Sequence, residues 1–196
     1  MLYPERLSEL AGILDGIPWL LTGGVTIPLR LGEFYRRHGD IDVAFPVEAF
    51  ADIDRAMRAA GFYLARGMPM SFFGRMRFSV CVPIRCDGWF VRHRPRKLRY
   101  LDDTGARTRP HLLTRVDAFP YRITDGRFTT LDGRYEFPLD RPLVGHRFRT
   151  AGGHEISCLD LHFVAEIKRR TGDPKHALDL SVVAHHFPGD VGAKAD

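Results

Sequence analysis

Cysteine is scarce in this chain. Cys81, Cys86 and Cys158 are three in number and form no CxxC pair, so neither a disulfide framework nor a zinc site is suggested, and all three read as reduced thiols. Long apolar runs are missing too: no stretch approaches the roughly eighteen residues of a membrane-spanning helix. The first twenty residues carry three acids that break their apolar runs, unlike a signal peptide, and a soluble, cytoplasmic protein is expected. Lysine is rare, arginine supplying nearly all of the 29 basic residues, against 24 acids and a formal net charge of +5. Arginine forks suit phosphate or carboxylate groups, so an anionic substrate is expected, with nucleic acid as an alternative.

What is present is an ordinary globular composition, 196 residues with 44% hydrophobic and 27% charged. That length supports one well-buried core and is short for two domains. The expected organisation is a single α+β domain over residues 1–196. It comprises a catalytic α/β core at 1–137, a helical C-terminal subregion at 153–188 and a frayed tail at 189–196.

Periodicity supplies the elements. Leu7, Leu10, Ala11 and Leu14 repeat at helical spacing within residues 5–15, and a helix follows. Ile17 to Leu21 reads as a buried strand closed by Thr22-Gly23-Gly24. A short helix is expected within residues 25–37, beginning near or bending at Pro28. Ile41 to Phe45 reads as a strand and residues 49–62 as a helix stopped by Gly61. From about 70 to 137 the signal changes to short β-type runs at 78–82, 88–91, 113–119 and 127–130. Asp132-Gly133 there makes a hairpin turn to Tyr135-Glu136-Phe137. Helical spacing returns at Leu159 to Ile167 and at Ala177 to His185.

Three acids carry the chemistry. In Asp40-Ile41-Asp42, alternation along a strand points both carboxylates into one space while Ile41 faces the core. Asp117 interrupts the apolar run Val116-Asp117-Ala118-Phe119, where a charge is costly unless a cation relieves it, and is the candidate for a third carboxylate. Converging carboxylates suit magnesium, which takes oxygen ligands and serves phosphoryl transfer, often as two ions. Gly23-Gly24 ends the strand expected beside Asp40-Asp42, and its bare backbone N–H groups can approach phosphate oxygens. Asp-x-Asp alone is a weak signal; its surroundings give it weight.

Leu21-Thr22-Gly23-Gly24, Leu29-Arg30-Leu31-Gly32 and Arg36-Arg37-His38-Gly39-Asp40-Ile41-Asp42-Val43 together resemble the nucleotidyltransferase superfamily of the DNA polymerase β type. The resemblance is to its aminoglycoside-2''-adenylyltransferase-like and lincosamide nucleotidyltransferase-like branch, and it is specific over residues 19–45. A second resemblance runs from Gly153 to Leu180, where a short strand precedes a helix and then Lys175 and Asp179-Leu180. It implies a nucleotidyltransferase fold: a mixed β-sheet with flanking helices, extra strands in the middle and a small helical C-terminal region. It also implies transfer of an NMP group from an NTP, with Mg2+, to a hydroxyl of a small antibiotic-like molecule, releasing pyrophosphate. Asp40, Asp42 and Asp117 would bind metal, Asp117 serving also as base. Gly23 and Gly24 would hold the triphosphate, with Thr22, Arg36, His38 and Lys168 as further nucleotide or substrate contacts.

Three positions depart from the pattern: Val25, Pro28 and His176, which bear on the acceptor more than on the chemistry. Residues 65–112 match no named family, and acceptor specificity is expected there. The basic run at residues 92–99 reads as a solvated face, with an acidic partner such as RNA as the alternative. A toxin-type enzyme acting on tRNA or protein, and a silent nucleotide-binding domain, are the competing readings. The chain is expected to be a monomer or a homodimer away from any membrane.

Overall fold

The computed structural model describes residues 3–36, 38, 40–72, 76–83, 97–102 and 115–190. Helix α1 spans Tyr3–Ile13 and lays Leu7, Leu10 and Ala11 into the core. Strand β1, Leu20–Thr22, is shorter than expected and begins after Pro18, which has no N–H for a ladder. Ile17 and Trp19 instead pack partly buried against the core. The chain then makes one 3-10 turn at Gly23–Val25 and enters α2, Thr26–Leu31. Pro28 is accommodated in the first turn of α2, where an N–H lacks an intrahelical partner anyway. The helix ends early, because Gly32 takes the left-handed conformation at φ 80°.

Strand β2, Ile41–Pro46, alternates Ile41 and Val43 into the core with Asp42 on the opposite face. Helix α3, Phe50–Ala59, follows with Ile53 and Met57 buried. Next come β3 (Phe62–Phe72), β4 (Met76–Pro83), β5 (Leu98–Asp102), β6 (Arg115–Thr124), β7 (Arg127–Thr130) and β8 (Glu136–Pro138). The expected β7 to β8 hairpin forms, with Phe128 opposite Phe137. Strands β9 (Val144–Arg149) and β10 (Glu155–Leu159) lead to α4 (Leu161–Thr171) and α5 (Ala177–His186). The side chain of Asp160 accepts the His162 N–H to cap α4, satisfying one of its orphan donors.

All ten strands among the described residues join one mixed sheet in the order β4-β3-β5-β6-β2-β1-β10-β9, with β7 and β8 continuing from β6. β2 runs parallel to β6 and antiparallel to β1, and β10 runs parallel to β1. The stretch after residue 153 thus contributes a strand, β10, between β1 and the edge strand β9 before turning helical. Two apolar clusters form the bulk of the interior. One gathers α1, α3 and the Ile41/Val43 side of the sheet; the other gathers Tyr121, Phe128, Phe137 and Phe163. Strands β3, β5 and β9 are additions to the elements expected from sequence. The expected strand at 88–91 lies outside the described residues.

Candidate active site

Sheet register assembles the site. Thr22 on β1 pairs with Asp42 on β2, Asp42 with Asp117 on β6, and Asp117 with Arg99 on β5. Side chains directly opposite one another on neighbouring strands share a face, so these four positions form one row across four strands. Asp40, just before β2, joins the row, and the carboxylates of Asp40, Asp42 and Asp117 offer oxygens all within 4.8 Å of one another.

The glycine turn is fitted to this row. Gly23 sits at φ 72°, where an L side chain is strained, and a Cβ there would come 2.7 Å from the Cβ of Asp42. A Cβ on Gly24 would come 2.7 Å from Cε1 of His38 and 2.5 Å from the guanidinium of Arg36. The two glycines are therefore the condition for Asp42, His38 and Arg36 to close around the turn. The hydroxyl of Thr26 donates to the Gly23 carbonyl at 2.8 Å and holds the turn from the helix side.

The acids differ sharply in their partners. Burial first, then the charges of Asp40 and Asp117, push the Asp42 carboxyl up to about 7. No described side chain donates a hydrogen bond to it. Asp117 is fully buried, yet Lys97 Nζ at 2.5 Å, Arg99 Nε at 3.0 Å and the fork of Arg115 at 3.1 and 2.5 Å all donate to it. Burial raises its pKa, but the Arg115 and Lys97 hydrogen bonds outweigh that and hold the carboxyl well below the usual range. Arg115 also reaches Asp40 at 3.1 Å.

A second charged knot borders the same cavity. Asp179 on α5 has no exposed surface and accepts from Tyr35 Oη at 2.8 Å, Arg36 Nε at 2.6 Å and Nη2 at 2.5 Å, and Lys168 Nζ at 2.7 Å. These donors overcome the burial of Asp179 and hold its carboxyl well below the usual range. Burial, then the Arg36 charge, lowers His38 to about 4, so its imidazole is neutral at pH 7.

Both knots border one cavity of about 660 Å³. Thr22, Gly23, Gly24, Arg36, His38, Asp40, Asp42 and Lys168 line it, together with Lys97 and Lys175. Phe119, Phe128, Tyr135, Leu159, Val164 and Ile167 form an apolar wall. The structure thus gathers every residue that the sequence singled out, Asp117 standing behind Lys97. It also binds Arg36 and Lys168 to Asp179, a partner that the sequence did not indicate. Lys97 and Arg99, read as part of a solvated basic run, are instead committed to Asp117; residues 92–96 of that run lie outside the described residues. No sequence signal pointed to Lys97, because β5 is not apparent in the residue order and its pairing with Asp117 is not local in sequence.

The solved structure of the lincosamide antibiotic adenylyltransferase LnuA, lincomycin-bound, superposes with a TM-score of 0.54 at 12% identity, covering 91% of this chain and 94% of that one. The chain has a nucleotidyltransferase fold. Residues 9–81 also match the aminoglycoside-2''-adenylyltransferase family profile. That stretch includes the glycine turn, Asp40 and Asp42, and the resemblance is therefore to enzymes of the nucleotidyltransferase class. The antibiotic-resistance factor ANT(2'')-Ia aligns over 94% of this chain and 82% of its own, with 15% identity and a TM-score of 0.49. No curated protein matches the chain in sequence. No helix among the described residues is long and apolar enough to cross a membrane.

The nucleotidyltransferase fold implies a divalent metal, and the donor set suits one. It consists of oxygens only, as a hard cation prefers. Asp42, crowded by two other carboxylates and without a donor among described side chains, is an acid whose ionised form a cation would stabilise.

Proposed function

We propose that this protein is a metal-dependent nucleotidyltransferase that moves an NMP group from an NTP to a hydroxyl of a small antibiotic-like acceptor. The observation that carries this is the meeting of Asp40 and Asp42 with the Gly23-Gly24 turn at one wall of a single cavity. In the reaction, the acceptor hydroxyl oxygen forms a bond to the α-phosphorus, the bond from that phosphorus to the bridging oxygen breaks, pyrophosphate leaves and the hydroxyl proton passes to solvent. Asp40 and Asp42 would hold Mg2+, which supplies charge neutralisation on the phosphates when bound. The turn at Gly23-Gly24 lets the phosphates approach the backbone closely. Arg36 and Lys168, clamped by Asp179, add positive charge at fixed positions along the same wall. Neutral His38 packs against Gly24 and shapes the turn without adding a charge of its own. The apolar wall offers a surface for the nucleobase or for the acceptor ring.

The test is incubation with each NTP and Mg2+ against a panel of aminoglycosides and lincosamides. Mass spectrometry should find an acceptor heavier by one NMP, and pyrophosphate should appear in equal amount. Label from α-labelled NTP transferred to RNA or protein instead would favour the macromolecular acceptor. Absence of pyrophosphate with every NTP and every acceptor would sink the assignment.

A further inference from the structure

The three acids of the cluster are not equivalent. An ionised carboxylate has about four lone-pair sites. Asp117 receives four N–H donors from Lys97, Arg99 and Arg115, with its side chain wholly buried. Two of those donors form the parallel fork of Arg115, the strongest geometry available to a carboxylate. Nothing remains on Asp117 for a metal bond or for a proton from the acceptor. A divalent ion brought to Asp117 would also face the positive heads of Lys97 and Arg115, each 2.5 Å from the same oxygen. Asp42, on the neighbouring strand in the same row, presents its carboxylate with no such donor among described side chains.

We propose that the site takes one divalent ion, through Asp40 and Asp42, and that Lys97 and Arg115, anchored by Asp117, supply the positive charge that a second ion would otherwise bring. Asp117 is then a positioning residue, neither a metal ligand nor the base. Lys97 is the member of this group that lines the cavity, and its ammonium faces the transferred phosphate. Arg115 ties the arrangement to the metal-binding side through Asp40. The consequence for binding is competition: fixed cations beside Asp40 and Asp42 weaken the hold of those acids on a metal ion.

The proposal rests on the nucleotidyltransferase reading, and Mn2+ binding separates the two. The full chain is mixed with one equivalent of a non-hydrolysable NTP analogue and titrated with Mn2+, free ion being followed by electron paramagnetic resonance. One Mn2+ retained per chain is expected. Two retained per chain would overturn the proposal and leave the nucleotidyltransferase reading standing. None retained would overturn that reading and the proposal with it. Lys97→Met, checked for folding by its melting temperature, removes one competing charge and should tighten Mn2+ by about threefold or more. Unchanged or weaker Mn2+ binding in a folded Lys97→Met protein overturns the proposal too; if that variant does not fold, the wild-type count decides.

Discussion

Replacing Asp179 by alanine should unfold the protein at a markedly lower temperature, because it strands a buried cation. Lys168 has 6% of its surface exposed, and its ammonium lies 2.7 Å from Asp179. Removing one partner of a buried ion pair costs about 3–5 kcal/mol, chiefly through the charge left behind. Arg36 is 29% exposed at its side chain and can turn to water, so the lower half of that range is the better expectation. For a chain of this size each kcal/mol moves the melting temperature by about 2–4 °C, giving a fall of roughly 6–16 °C. Lys168→Met in the same background should recover part of the loss, with a coupling of about 1–3 kcal/mol. Acid supplies a second readout. The Asp179 carboxyl is held below its unfolded value of about 3.9, so its contribution is fully present above that value and disappears as pH falls through the folded pKa. Urea melts of wild type and variant should therefore differ at pH 7 and converge as pH drops below about 4. A variant melting within about 2 °C of wild type at pH 7, where about 6 °C or more is expected, or a gap that survives into strong acid, would refute the reasoning.

Gly23→Ala should cost about 1–2 kcal/mol for its left-handed backbone alone and displace Asp42, so Mn2+ affinity should fall more than the melting temperature suggests. Equilibrium dialysis beside thermal melts checks this, and unchanged metal binding would contradict the fit of turn to carboxylate. Asp42→Asn should abolish transfer in the coupled pyrophosphate assay while the circular dichroism spectrum stays that of the wild type. The same substitution should alter the pH dependence of stability without metal. A carboxyl raised to about 7 in the folded state binds its proton more tightly there than in the unfolded chain, so wild-type stability should fall as pH rises from about 4 to 7. Asp42→Asn should lack this descent and be the more stable protein at pH 8 until Mg2+ is added. Neutral His38, lowered to about 4, acts in the opposite sense: the unfolded chain takes up the proton first as pH falls below about 6.5, which destabilises the fold. His38→Gln should flatten that limb of the urea-melt profile between pH 6.5 and 4.

Much of the site was legible in residue order because its central part is local. Asp40 immediately precedes the strand that carries Ile41 and Asp42, and the glycine turn follows the strand that pairs beside it, so period-two alternation and turn chemistry were enough. Strands β3, β5 and β9 were not legible. Gly67 and Pro69 depress the strand signal of β3, Arg99 interrupts the buried Leu98 and Tyr100 of β5, and β9 reads as a polar segment because every second residue faces solvent. Composition and spacing by themselves determined an α+β chain with converging carboxylates, a glycine turn beside them and a helical ending. Only tertiary structure decided what the acids meet. Asp117 stands 18 residues from Arg99 and 20 from Lys97, and Asp179 stands 143 from Arg36. A carboxylate's availability depends on which donors the register of a sheet and the docking of a helix bring to its lone pairs.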